Sequence, residues 1–373
     1  MAQFGDFTVD RNSTKYVLGS GGTIISYATD EPAFEFNADG SYKGLLVEPA
    51  ATNLITYSEE FDNAAWVEVS IGSGSVTITA NAGTSPDGTS TADRVILNLN
   101  GGTTTGDIAL LRQANTTTGS LTFSTYLKSF DGVSSYTMQL IHPDGSGVNI
   151  TVTGSWQRFE VTGTSVGNVN YGIRLRGAQS PVNSDSADVL VWGAQLETGP
   201  IATSYIPTTT ASVTRVKDDI TQTSASSLIG QTEGTLYIEV DWRGTSGTGQ
   251  TLLDVTDGTS DNRVLIYNTS LNALNMFASA NGAVLTSQGP SSSGYNGIQK
   301  FAFAYKTDDF ELYRNGSSIS SDTTGSLAAL ATMTDIDLGQ NIIAGGQANM
   351  HIRAVALYPK RLSDAECEAL TTL

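Results

Sequence analysis

Sulfur, imidazole and helix-period pattern are what this chain has least of. A single cysteine, Cys367, stands among 373 residues, and a lone thiol excludes an intrachain disulfide and any cysteine-based metal cluster. The two histidines, His142 and His351, have no serine- or cysteine-nucleophile motif near them, which leaves little material for nucleophilic or metal catalysis. No apolar run approaches about 18 residues, so neither a transmembrane helix nor membrane insertion is expected. The opening MAQFGDFTVDR has an early acid and no apolar core; it does not read as a secretory signal, and export is expected inside an assembled particle or by lysis. Basic residues are also scarce, 19 against 37 acids for a net charge of −18. With no basic patch interleaved with aromatics, nucleic acid is not an expected partner. The glycine-rich stretch 244–249, GTSGTG, lacks a following lysine and helix, so a loop is expected there and not a phosphate cradle.

What fills the chain instead is alternation with a period of two, the signature of strands with one buried face. Leu236, Ile238, Val240 and Trp242 share one face, with Tyr237, Glu239 and Asp241 on the other. Phe301, Phe303 and Tyr305 repeat the pattern, as do Tyr171, Ile173 and Leu175 against Arg174 and Arg176. Turn clusters such as Ser85–Gly88, Pro143–Gly147 and Asp257–Thr259 separate such runs. Asn315-Gly316 suits the positive φ angles of a two-residue type I′ hairpin turn. At the end, Ser363 with Glu366 three residues on forms a helix-capping box, and Leu362 and Cys367 occupy the staple positions around it, which makes Cys367 a buried apolar side chain.

At this length more than one core is expected, since single cores stop growing near roughly 250–300 residues. The expected fold is all-β: two tandem jelly-roll or β-sandwich domains behind a short extended arm, with one short C-terminal helix. The arm is 1–43, the first sandwich 44–212, a Ser/Thr/Gln-rich linker 213–232, and the second sandwich 233–373. The arm is expected to pack on its own chain or on a neighbouring one.

Segments in both halves of the chain carry a family resemblance. Gly44–Trp66, GLLVEPAATNLITYSEEFDNAAW, resembles the start of a recurrent module in bacteriophage virion proteins of the tail-fibre and head-fibre type. Gly199–Pro207, GPIATSYIP, resembles the closing signature of the phage version. Between them, Gly154–Phe159 (GSWQRF) and Asp188–Glu197 (DVLVWGAQLE) are similar to segments of the galactose-binding-like jelly roll of carbohydrate-binding modules. The second half, with Gly234–Trp242, the Asn315-Gly316 hairpin and the ending His351–Asp364, resembles the concanavalin A-like or laminin-G-like sandwich. The resemblance implies a virion surface or fibre protein, made in the host cytoplasm. Its partners would be host cell-surface polysaccharide and other virion proteins, and its assembly a homo-oligomer, first a trimer.

A sugar site would pair an aromatic ring with polar donors. Tyr126 and Lys128, which alternate outward from Leu121, Phe123 and Leu127, and Arg174 and Arg176 are the candidates; Trp66, Trp156 and Trp192 sit in apolar contexts and read as core. No cofactor is expected, apart from the structural calcium that the jelly-roll likeness allows. That likeness nominates Glu59, Glu60, Asp62 and Glu197, and Asp257, Asp261 and Asn262 share a loop in the second domain. An ordinary acidic turn is the competing reading at both places. The function expected is non-enzymatic adhesion to envelope glycans. Two alternatives stand beside it. One is a purely structural capsid or tail decoration. The other is a polysaccharide depolymerase using Glu239 and Asp241, whose i, i+2 spacing on one strand face approaches the carboxyl separation of glycosidases, about 5 Å or more.

Overall fold

The structure is a computed structural model that describes residues 6–180, 182–243, 249–269, 273–290, 297–341 and 346–373. The glycine-rich loop expected at 244–249 falls almost wholly outside the described residues. The chain is nearly all β, with one α-helix, Asp364–Thr371, at its C-terminal end. Among the described residues no helix is long and apolar enough to cross a membrane.

Two sandwiches enclose two separate apolar interiors. The first faces a five-stranded sheet (Gly147–Val152, Tyr136–Ile141, Val169–Arg176, Ile108–Asn115, Val67–Ile71) against another (Gln157–Val166, Thr118–Ser129, Ser186–Thr198, Ala92–Asn98, Ser75–Gly83). Leu111, Phe123, Leu127, Tyr171, Ile173 and Val191 fill its interior. In the second, strand Glu233–Trp242 pairs with Gly297–Lys306 so that Leu236 opposes Phe303 and Ile238 opposes Phe301, all buried. Each such side chain removed from water contributes roughly 1.5–3 kcal/mol. The alternation therefore decides which face of each strand turns inward.

Local signals act where the sequence places them. Asn315 and Gly316 have φ of 46° and 84°, as a type I′ turn requires. Ser363 and Glu366 form both halves of the capping box. Cys367 is buried against Ala302, Ala304 and Tyr313 with Leu362 beside them, and burial pushes its thiol up to about 11.

Strand pairing cuts across the division expected at 43/44 and 212/213. Phe34–Phe36 and Tyr42–Val47 extend the Met350–Tyr358 edge of the second sandwich. Thr8–Asp10 pairs with Asp219–Gln222, which pairs with Asp335–Leu338 in the facing sheet. Val9, Leu45, Val47 and Ile220 thus enter the second core. Parts of the stretches read as arm and linker are strands of that sandwich, and the first sandwich is inserted between them; Val213–Arg215 of the linker pairs instead with Ala51–Asn53. Their few apolar residues per strand give too short an alternation to be seen before their partners, more than 100 positions away in the sequence, are known.

Candidate functional site

The part of the arm that joins neither sheet of the second sandwich is a hairpin, Lys15–Leu18 with Ile24–Tyr27. It folds over the outer face of the first sandwich, attached by a bridge between Tyr16 and Tyr205. Between hairpin and sheet lies a cleft of about 480 Å³, within the roughly 300–1,000 Å³ of small-ligand sites.

Two neighbouring strands supply its working face. Along Thr118–Ser129, Leu121, Phe123 and Leu127 turn into the core, so Tyr126 and Lys128 turn outward. Antiparallel pairing sets Tyr126 opposite Arg158 and Leu127 opposite Gln157, which brings Trp156 beside Lys128. The face is therefore a two-by-two alternation of ring and cation. The Arg158 guanidinium lies 5.5 Å from the Tyr126 ring centre, and the Lys128 ammonium 5.9 Å from that of Trp156. Trp66 and Trp192 are core, at 5% and 1% exposure. Trp156 is not: it is half-buried and lines the cleft, with its indole N–H donated to the Thr84 carbonyl at 3.1 Å. Its outward turn follows from the i, i+2 relation to Arg158, which outweighs the apolar flavour of its neighbours.

Behind this face the rings are stacked. Trp192 meets Tyr126 edge-on at 5.5 Å and Tyr205 at 4.5 Å, and Tyr16 closes against Tyr205 at 6.2 Å. A bulge opposite Thr125 makes room for them. Its Gly193 has φ +64°, and a Cβ there would lie 3.1 Å from Tyr126 and 3.3 Å from Tyr205. Tyr205 donates its hydroxyl to Glu59 at 2.8 Å, and burial pushes its pKa well up, with Glu59 adding to the rise.

Glu35 and Arg243 complete the wall on the second-sandwich side. Burial alone would raise the Glu35 carboxyl, but the hydrogen bond from His351 and the charges of His351, Lys43 and Arg243 hold it at about 2. Arg158 donates to the Thr203 carbonyl at 2.6 Å and to Ser124 Oγ at 3.0 Å. Burial pulls its pKa down, and Tyr126, Glu197, Glu160 and Glu48 more than reverse this.

Under the floor lies a buried ionic knot. Lys15 reaches Asp218 at 2.6 Å and Glu48 at 3.1 Å, and Arg11 reaches Asp218 at 3.1 Å. Arg215 and Arg243 stand 3.6 and 3.4 Å from Glu48. Ser204 gives Glu48 both its N–H, at 2.8 Å, and its hydroxyl, at 2.7 Å. The knot ties the hairpin, the end of the first sandwich and Arg243 of the second into one unit.

Of the expected sugar ligands, Tyr126 and Lys128 share this cleft, while Arg174 and Arg176 lie on the opposite sheet with the core between. Arg174 is 8% exposed and donates to Gln139 at 2.9 Å; Arg176 lines a separate depression and donates to the Thr105 carbonyl at 2.9 Å. The nominated calcium ligands do not converge. Glu59 accepts from Tyr205 and Glu197 from Thr203; Glu59 and Glu60 line one depression, without Asp62 or Glu197. Asp257 accepts from Thr259 and Asn262 within its own turn, beside Asp261. Among the described residues no group of three or more His, Cys, Asp or Glu is placed to hold a metal. Glu239 is paired with Arg353 at 2.8 Å, a guanidinium from a strand more than 100 positions away. Trp156, Arg158 and Tyr205 went unselected although GSWQRF and GPIATSYIP contain them; Tyr16, Glu35 and Arg243 reach the cleft only through long-range pairing.

No family model matches the chain, and no curated protein matches it. Among solved structures it is similar to the Ruminococcus gnavus IT-sialidase CBM40 bound to alpha2,3 sialyllactose, at 18% identity over 38% of this chain and 83% of that one, TM-score 0.33. It is similar to the botulinum neurotoxin serotype D/C VPI 5993 binding domain at 18% identity over 42% of this chain and 40% of that one, TM-score 0.35. A mutant Trypanosoma rangeli sialidase displaying trans-sialidase activity gives 13% identity over 40% and 25%, TM-score 0.33. The chain spans well under two thirds of the last two, and overlaps of this size carry no argument about its function.

Proposed function

We propose that the chain is a non-catalytic glycan-binding component of a particle surface, and that it holds sugar in the cleft between hairpin and first sandwich. The observation that carries this is the alternating Tyr126–Arg158 and Lys128–Trp156 face. Sugar rings present apolar C–H faces and polar edges. A half-buried indole flanked by N–H donors answers both needs. The carboxylate lining the cleft, Glu35, is engaged by His351 and Lys43, which suits a structural acid. The resemblance of the opening and closing segments to phage fibre proteins supports a virion as the particle and a homotrimer as the assembly. Copies side by side would raise the avidity of a shallow site by about 10²–10⁴. The test is binding of the full chain to extracted bacterial envelope polysaccharide, with Trp156→Ala beside it. Binding that falls roughly tenfold in the variant, at unchanged melting temperature, is expected. Equal binding by both proteins would remove the cleft from the reading, and no binding by either would remove adhesion.

A second reading, contact with other proteins of the particle, is favoured by the edge strand Val67–Ile71. It leaves Val67 45% and Ile71 47% exposed at the margin of its sheet, where unpaired backbone groups invite another strand.

A further inference from the structure

The charge around the cleft opposes that of the chain. In a protein of net charge −18, the cleft is lined by Lys128, Arg158 and Arg243 against the single carboxylate of Glu35. Three of these four are already answered inside the protein. Glu35 pairs with Lys43 at 3.4 Å and takes a hydrogen bond from His351. Arg158 lies beside the buried Glu197. Arg243 belongs to the knot, whose four cations, Arg11, Lys15, Arg215 and Arg243, face two carboxylates, Glu48 and Asp218. The floor therefore carries a surplus of positive charge, and Arg11, Lys15 and Arg215 within it are shut off from water. Lys128 is the remaining group. It makes no ion pair with a described residue, and its contact is with the face of Trp156. Glu59 and Asp87, which do not line the cleft, act on Tyr16 of the hairpin.

We infer that the cleft takes an acidic sugar, a ring carrying a carboxylate, which stacks on Trp156 with its carboxylate against Lys128. This rests on the glycan-binding reading and narrows it. A neutral sugar would satisfy the indole and leave both the ammonium and the positive floor unanswered. A carboxylate on the ring edge answers them with a charge-assisted hydrogen bond, roughly twice as strong as a neutral one. Among the described residues no acidic side chain competes with it for Lys128.

The test is retention of the full chain on a glycan array that pairs each uronic- or sialic-acid glycan with its carboxyl-reduced, neutral counterpart. Wild type is run beside Lys128→Gln and Lys128→Arg. Acidic members are expected to bind, with affinity falling about tenfold or more on carboxyl reduction, on raising the salt, and in Lys128→Gln. Lys128→Arg, which keeps the charge, is expected to restore most of the binding. Equal binding of acidic and neutral members that still depends on Trp156 would overturn the acidic-sugar inference and leave glycan binding standing. Retention of sulfated glycans in place of carboxylated ones would overturn the carboxylate assignment. An array with no retained glycan at all would remove both readings.

Discussion

In the ionic knot, Arg11, Lys15 and Arg215 are at 0–1% exposure and each has a carboxylate within 3.6 Å. In the cleft directly above, Lys128 and Trp156 are half-buried, and the ammonium has a ring where the knot's cations have an acid. The residue types are alike and the surroundings opposite. Below, Arg11, Lys15 and Arg215 are buried and each is held by a carboxylate, which fixes how three parts of the chain meet; above, a cation is held in place by an aromatic ring and left available. Pairing converts charge into geometry, and leaving it unpaired keeps it for a ligand. The two regions should therefore respond differently to substitution.

The largest effect is expected in the knot. Although burial pushes the Glu48 carboxyl up, Lys15, Arg215 and Arg243 outweigh it and hold it well below the usual carboxylate range. Glu48→Gln keeps the shape and one acceptor for Ser204 but leaves four cations around one acid. Breaking a buried pair from one side costs about 3–5 kcal/mol, so denaturant unfolding should show a loss of that order at pH 7. The sign with pH follows from the lowered value. Glu48 stabilises the fold fully above its unfolded pKa, about 4.3, and the gain is lost as pH falls toward the folded value. The wild type and the variant should accordingly converge in acid. A gap that does not narrow as pH falls from 5 to 3 would show that packing, and not charge, accounts for the loss.

A smaller effect is expected where the cleft is shaped. Gly193→Ala puts a side chain at φ +64° and against the rings of Tyr126 and Tyr205. The left-handed conformation alone costs roughly 1–2 kcal/mol, and the displaced ring should weaken glycan retention more than the stability loss accounts for. Unchanged retention in a destabilised variant would separate the bulge from the site.

The two sandwich cores were legible because buried strands declare themselves every second residue: Leu236 to Trp242 and Phe301 to Tyr305 needed no partner to be read. Tyr126 and Lys128 were legible for the same reason, as outward positions between Phe123 and Leu127. Local chemistry also sufficed for the Asn315-Gly316 turn and the Ser363 cap. Hidden were the things made by distant pairing. Strand Tyr42–Val47 looks like the opening of the first sandwich because the residues that follow it belong there, yet Leu45 and Val47 pack in the second. Lys15 and Asp218, 203 positions apart, look in the sequence like any exposed ion. Trp156 reads as core in the sequence because its outward turn depends on the register with Tyr126.

The smallest effect reverses the cleft's charge. On the second sandwich a shallow depression gathers Asp219, Asp335 and Asp337, with Lys217 the one cation among the described residues lining it. Burial, with the charges of Asp219 and Asp335 adding to it, pushes Asp337 up to about 7. Here the sign is opposite to that of Glu48. An acid whose folded value is raised costs no stability below its unfolded pKa of about 3.9; the penalty grows as pH rises above that and is complete above 7. Asp337→Asn removes the ionisation, so the variant should match the wild type at pH 3.5 and melt above it at pH 8. An increase of about 2–4 °C is expected, the shift that roughly 1 kcal/mol produces at this size. A variant that melts below the wild type at pH 8 would mean that Asp337 is ionised and held by Lys217. The depression would then be a paired site like the knot, and unlike the cleft.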